Sequence, residues 1–192
     1  MPYFPGETAL DLEALKASVG PLVQTLREDI RFRKTRLVVE PGRFLTAESG
    51  LYVARVVTLK QSRGTTFAIL DGGLNHHLSA SGQFGQIIKR NFPIVAANRV
   101  DQKFDSVYEI AGPLCTPLDV LGHEVVLPGL EEGDLIAILQ SGAYARTSSP
   151  HGFLSHPAPM ELLVDGEEVI VARARGHYDD IIKGTFLEVA PA

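Results

Sequence analysis

The stretch Leu37-Val38-Val39-Glu40-Pro41-Gly42-Arg43 sets the strongest limit on how this chain can fold. A short apolar run with the look of a fully buried strand stops at a proline and a glycine, and an arginine follows at once. Proline has no N–H to give a sheet ladder, so the strand must end there and the chain must turn. Gly42 leaves its backbone open to close approach, and the Arg43 guanidinium offers a planar fork of donors, so the corner has the make-up of an anion site. Glu40 is the exception in it. A carboxylate at the end of an apolar strand is costly to bury unless something positive or protonated faces it.

The segments around this corner extend it into an α/β unit. From Asp11, a predicted N-cap, the residues Leu12, Leu15, Val19, Leu22, Val23, Leu26 and Ile30 recur at helical spacing. Gly20-Pro21 interrupts them and predicts a short helix followed by a longer one. A strand over 36–40, the corner, and a helical turn over 44–48 closed by Gly50 complete the unit, which is too short to close a sheet alone.

Past Gly50 the periodicity changes to two. Residues 51–59 and 65–71 predict two strands joined by the turn Gln61-Ser62-Arg63-Gly64. Further strands are predicted over 106–111 and 134–139, and 160–164 with 167–173 flank the hairpin signal Asp165-Gly166. Residues 75–86 read as loop or irregular helix, and 178–183 as one or two helical turns. The expectation is a mostly antiparallel β region.

Composition excludes several functions. The net charge is −5 over 192 residues, with no cluster of Lys and Arg, which argues against an electrostatic grip on nucleic acid or an anionic membrane. No apolar run approaches the ~20 residues of a membrane span, and Met1-Pro2-Tyr3-Phe4-Pro5-Gly6 lacks the form of a signal peptide, so the expected location is the cytoplasm. The single cysteine, Cys115, excludes an internal disulfide and sits between Pro113 and Pro117 on a stiff loop.

Singly, the motifs are weak. His76-His77 reads as a solvated pair whose side chains diverge rather than converge on a metal. Ser141 sits in no Gly-x-Ser-x-Gly elbow, and a lone cysteine is more often core than chemistry. Their order says more. Glu40-Pro41-Gly42-Arg43, Asp71-Gly72-Gly73, Gly112-Pro113-Leu114-Cys115-Thr116-Pro117-Leu118-Asp119, Gly142-Ala143-Tyr144 and Pro159-Met160-Glu161-Leu162-Leu163-Val164-Asp165-Gly166 together resemble the fold-type III pyridoxal-phosphate-dependent amino acid decarboxylases. This is the family of diaminopimelate and ornithine decarboxylases, whose fold is shared with alanine racemase. Asn75-His76-His77 and Cys115-Thr116-Pro117 look most like the branch associated with exosortase clusters or with carrier-protein-linked amino acids.

The resemblance implies the last βα unit of a TIM-like barrel over 1–50 and a C-terminal β-barrel-like domain over 51–192. It implies pyridoxal 5'-phosphate as cofactor, Glu40 facing its ring nitrogen, Gly42 and Arg43 at its phosphate, and Tyr144 adding a hydroxyl donor there. Cys115 would reach into the site of a neighbouring subunit and govern reprotonation, which implies a homodimer. In the family, the Schiff-base lysine, a ring-stacking histidine and a glycine-rich phosphate loop precede the stretch matched here. Lys16, Lys34, Lys60, Lys89, Lys103 and Lys183 lie in other surroundings, so the chain reads as the C-terminal portion of a decarboxylase, with no turnover expected from it alone.

Two departures concern the substrate. Thr116 stands where the diamine-forming and diaminopimelate enzymes carry an acidic residue, and Ser79 stands near the place of their substrate-binding arginine. Both weaken a diamino acid assignment and favour a modified or carrier-bound amino acid. The rival reading is a non-catalytic homologue that serves as a dimerising binding or regulatory module. Keeping Glu40, Arg43, Cys115 and Tyr144 together favours the enzyme, and a racemase is disfavoured because that branch sets an arginine against the ring nitrogen.

Overall fold

Asp11 starts the first helix by accepting the Ala14 N–H on its carboxylate at 2.9 Å, the cap its position predicted. The computed structural model, which describes residues 6, 8–82 and 86–185, then runs one helix, α1, from Leu12 to Glu28, with Pro21 inside it. The expected break at Gly20-Pro21 does not occur. Proline removes one intrahelical bond and fixes φ near the helical value, so neighbouring turns can carry the helix across it. The Thr25 hydroxyl bonds the Pro21 carbonyl at 3.0 Å on its far side. No residue of α1 is buried, and Leu12, Leu22 and Ile30 lie exposed.

The expected strand over 36–40 is likewise not formed. The run has no ladder partner among the described residues, and Leu37, Val38 and Val39 are more than half exposed. An extended segment becomes a strand only through a neighbour's hydrogen bonds. The corner itself does form: the Gly42 N–H bonds the Glu40 carbonyl at 2.9 Å, and α2 follows over Gly42–Thr46.

Six strands form the body of the fold: β1 (Tyr52–Ser62), β2 (Thr65–Leu70), β3 (Ile94–Ala96), β4 (Ser106–Ala111), β5 (Val120–Leu127) and β6 (Leu135–Ile138). Their order is β3-β6-β1-β2-β4-β5, with β2 and β4 parallel and every other pair antiparallel. The β1–β2 hairpin turns on Arg63 and Gly64, both at positive φ, the geometry that matches strand twist. Alternate residues fill the interior, where Val56, Leu70, Ile110, Leu121, Leu127, Ile136 and Ile138 are almost wholly removed from water. The two edge strands approach each other. Asn91, ahead of β3, and His123 of β5 exchange hydrogen bonds of 2.6 and 2.9 Å, which nearly closes the sheet into a barrel.

β3 and β5 were not legible as strands. β3 has three residues, and β5 is interrupted by Gly122 and by Glu124 in the left-handed region, so its pairing slips and its alternation breaks. The predicted hairpin forms as β7 (Glu161–Asp165) and β8 (Glu168–Arg173) around Gly166. Residues 178–181 make a single 3-10 turn. Residues 83–85, within the stretch read as loop, lie outside the described residues. Among the described residues no helix is long and apolar enough to cross a membrane.

Candidate functional site

Glu40, Pro41, Gly42, Arg43, Phe44 and Tyr144 line one open cleft of about 290 Å³. Four of the five residues singled out in the sequence therefore meet, although a hundred residues separate Tyr144 from the rest. Glu40 is exposed, not sealed at a buried strand end as the sequence implied, because the run before it has no partner. A Cβ placed on Gly42 would meet nothing within 4 Å, so the backbone there faces open space that a ligand can enter.

A contact between two glycines brings Tyr144 to the corner. The Gly142 N–H bonds the Ala47 carbonyl at 3.0 Å, and the Ser141 N–H bonds the Gly50 carbonyl at 2.8 Å. A Cβ on Gly50 would lie 2.5 Å from Gly142 Cα, and one on Gly142 would lie 1.7 Å from the Thr46 carbonyl oxygen. Gly50 therefore does more than end a helical turn: it and Gly142 let two backbones touch. The 140–144 loop is docked directly on the segment that carries Gly42 and Arg43.

Tyr144 itself sits at φ +57°, a conformation that bulky residues avoid, and the residue is 44% exposed. Its carbonyl accepts hydrogen bonds from the Ser79 hydroxyl at 3.1 Å and from the Ser148 hydroxyl. Ser79 lies two residues from His77, which is fully buried and bonded through Nε2 to Ser141 Oγ at 2.9 Å. The pair His76-His77 is thus not solvated, contrary to expectation. The Tyr52 hydroxyl and His76 Nδ1 are 3.1 Å apart, and His76 Nε2 lies 2.9 Å from the Pro157 carbonyl. Burial pushes His77 down to about 4, and holds His76 below the ordinary imidazole range. The flanking Leu74, Leu78 and Ala80 were the sequence signal that these histidines go inward.

Cys115 lies apart. It is exposed and does not line the cleft. Its loop is pinned by Asp119, which is 3% exposed and accepts the Leu74 N–H at 2.6 Å and the Leu114 N–H at 2.8 Å. A Cβ on Gly73 or Gly112 would fall within 2.5 Å of that carboxylate, so both glycines exist to admit it. Burial raises the Asp119 carboxyl, while the two backbone N–H donors and the more distant His156 and Lys89 pull it back. Replacing one acceptor oxygen by an amide N–H in Asp119→Asn sets a donor against one of two buried donors. Urea unfolding is expected to show a loss of about 2 kcal/mol, with a faster reaction of Cys115 toward a thiol reagent as its loop loosens.

The cleft is lined by residues that carry a carboxylate, a guanidinium and a phenol, beside an open glycine. That donor set suits a ligand with a phosphate at one end and a protonatable ring nitrogen at the other. A family model described as the C-terminal sheet domain of pyridoxal-dependent decarboxylases matches residues 20–142. The chain belongs to the pyridoxal-dependent decarboxylase family.

Decarboxylase relatives match almost the whole of this chain but less than half of their own length. The L-glutamyl-[BtrI acyl-carrier protein] decarboxylase of Niallia circulans is 41% identical over 186 residues, covering 95% of this chain and 43% of the relative. The diaminopimelate decarboxylase of Methanothermobacter thermautotrophicus is 29% identical, covering 96% of this chain and 41% of its own. The solved structure of the Helicobacter pylori diaminopimelate decarboxylase complexed with L-lysine superimposes with a TM-score of 0.74 at 25% identity, over 95% of this chain and 41% of that one. That from M. jannaschii reaches 0.82 at 24% identity, over 98% and 41% respectively, and shares the fold. The decarboxylase-family chain thus spans less than half the length of the curated relatives it matches, and its sheet is the family's C-terminal domain.

Proposed function

We propose that this chain forms one wall of the cofactor site in a cytoplasmic pyridoxal-phosphate-dependent decarboxylase that removes the α-carboxylate of a carrier-linked amino acid. The observation that carries the reading is the convergence of Glu40, Gly42, Arg43 and Tyr144 on one cleft. Pyridoxal phosphate supplies an electron-poor ring that takes up the electron pair left as carbon dioxide departs. The Glu40 carboxylate keeps the proton on the ring nitrogen, which preserves that electron demand. Arg43 binds the phosphate through its guanidinium, the Tyr144 hydroxyl donates to it, and Gly42 lets it approach the backbone. Cys115, exposed on a pinned loop away from its own cleft, reaches the cleft of a second copy and governs reprotonation there, so the working unit is a homodimer with shared sites. A lone exposed thiol of this kind stays reduced in a cytoplasmic setting.

Three observations support a carrier-linked substrate. Thr116 leaves no carboxylate beside Cys115 for a distal ammonium. Ser79, buried and bonded to the Tyr144 carbonyl, offers no cation to a free substrate carboxylate. The relative at 41% identity is named for a glutamyl group on an acyl-carrier protein. The test is carbon dioxide release by the chain produced together with the lysine-bearing barrel of its family. Release from L-glutamyl-loaded carrier protein, with free diaminopimelate and lysine at least tenfold slower, is the expected result. Faster release from a free diamino acid overturns the substrate, and neither cofactor absorbance nor release from any of them overturns the enzyme.

A further inference from the structure

We propose that His77 is a positioning residue for this site: acting through Ser141, it holds the 140–144 loop in the conformation that turns the Tyr144 phenol into the cleft. The inference rests on the reading of Tyr144 as a phosphate donor. Gln140 and Tyr144 both sit at φ +57°, so the loop carries strain at two non-glycine residues and persists only where its surroundings hold it. Beside the backbone bonds to Ala47 and Gly50, the holding groups are hydroxyls. Ser79 Oγ donates to the Tyr144 carbonyl at 3.1 Å, and Ser141 Oγ donates to the Ile138 carbonyl at 2.8 Å.

His77 stands between those two hydroxyls. Its Nε2 is 2.9 Å from Ser141 Oγ, and its Nδ1 is 3.2 Å from Ser79 Oγ and 3.4 Å from the Ala80 nitrogen. One placement of protons satisfies every group. The Ala80 N–H donates to Nδ1, and Nε2–H donates to Ser141 Oγ. Ser141 then gives its hydrogen to Ile138, and the Ser79 hydrogen is left for Tyr144. This placement needs a neutral imidazole, the form that full burial favours. The ring is also fixed in orientation, edge-on to Tyr52 at 5.7 Å and to Phe92 at 5.4 Å between centroids. His77 touches no ligand in this arrangement, yet through Ser141 it fixes one end of the loop, while Ser79 holds the Tyr144 end directly.

The experiment titrates the apo form of the decarboxylase carrying this chain with pyridoxal phosphate and, separately, with pyridoxal, which lacks the phosphate. A loop that loses its grip on Tyr144 weakens the phosphate-bearing cofactor alone, whereas general destabilisation weakens both. His77→Leu and Ser79→Ala are each expected to raise the Kd for pyridoxal phosphate about tenfold, the scale of one hydrogen bond to a charged group, and to leave pyridoxal within twofold. His77→Gln, whose amide donates from the place of Nε2, recovers most of the affinity. Tyr144→Phe matches His77→Leu, and the double variant is no weaker than either. Equal weakening of both cofactors by His77→Leu, or additive losses in the double variant, would falsify the positioning role while leaving the phosphate role of Tyr144 intact. If Tyr144→Phe itself does not distinguish the two cofactors, the phosphate reading falls and takes this inference with it.

Discussion

Gly142→Ala is expected to lower the unfolding free energy by about 3 kcal/mol, at the upper end of what overpacking does, and to abolish binding at the cleft. The added methyl would lie 1.7 Å from the Thr46 carbonyl oxygen, 2.8 Å from the Thr46 carbonyl carbon and 2.7 Å from Ser49 Oγ. Two of those three atoms are backbone, so no rotamer change can clear them. One segment must move off the other, and the Gly142–Ala47 and Ser141–Gly50 backbone bonds break as it does. Because those bonds carry the loop onto the corner, stability and site geometry fail together. Gly129→Ala is the control: a Cβ there meets nothing within 4 Å, and its unfolding midpoint in urea is expected to stay near that of the parent chain. Equal midpoints for the two variants would show that the loop is not docked in this way.

The second large effect is a loss of stability in mild acid. His77 titrates at about 4 in the folded chain, against 6.5 for an unperturbed imidazole. The unfolded chain therefore takes up this proton first as pH falls. The stabilisation is fully present above pH 6.5 and drains away between 6.5 and 4, the loss reaching about 3 kcal/mol at the bottom of that window. His76 and His151 are shifted in the same direction by burial and steepen the fall. Urea midpoints measured from pH 7.5 to 4.5 on the parent chain and on His77→Leu separate the contributions. The variant is expected to be less stable at neutral pH but to decline less steeply. Parallel declines would mean that His77 is solvated after all.

Much of the site could be read in advance from residue chemistry. Pro41-Gly42-Arg43 announces a turn with donors whatever surrounds it, since proline stops a ladder and guanidinium binds anions in any fold. Asp11, Arg63-Gly64 and Asp165-Gly166 are equally local, and each cap or turn forms where it was expected. Elements that depend on a distant partner were misjudged. The 36–40 run has strand character but no neighbour here to bond, and α1 runs through Pro21 because one lost bond does not end a 17-residue helix. His76-His77 looked polar and was assigned to water, while its true partners, Pro157, Tyr52 and Ser141, lie far along the chain.

By itself, the order of motifs from Glu40 to Gly166 determined the family, the cofactor chemistry and the residue types available to it, because those follow from side-chain chemistry and short spacings. Only the tertiary structure decided that Tyr144 joins Glu40 and Arg43 in one cleft while Cys115 stays outside it. It also placed Gly50, Gly142, Asp119 and His77 at the backbone contacts and buried hydrogen bonds around the loops that carry Tyr144 and Cys115. Their roles depend on two backbones touching and on buried hydrogen bonds across 64 residues of sequence, and no local pattern encodes an approach at that distance.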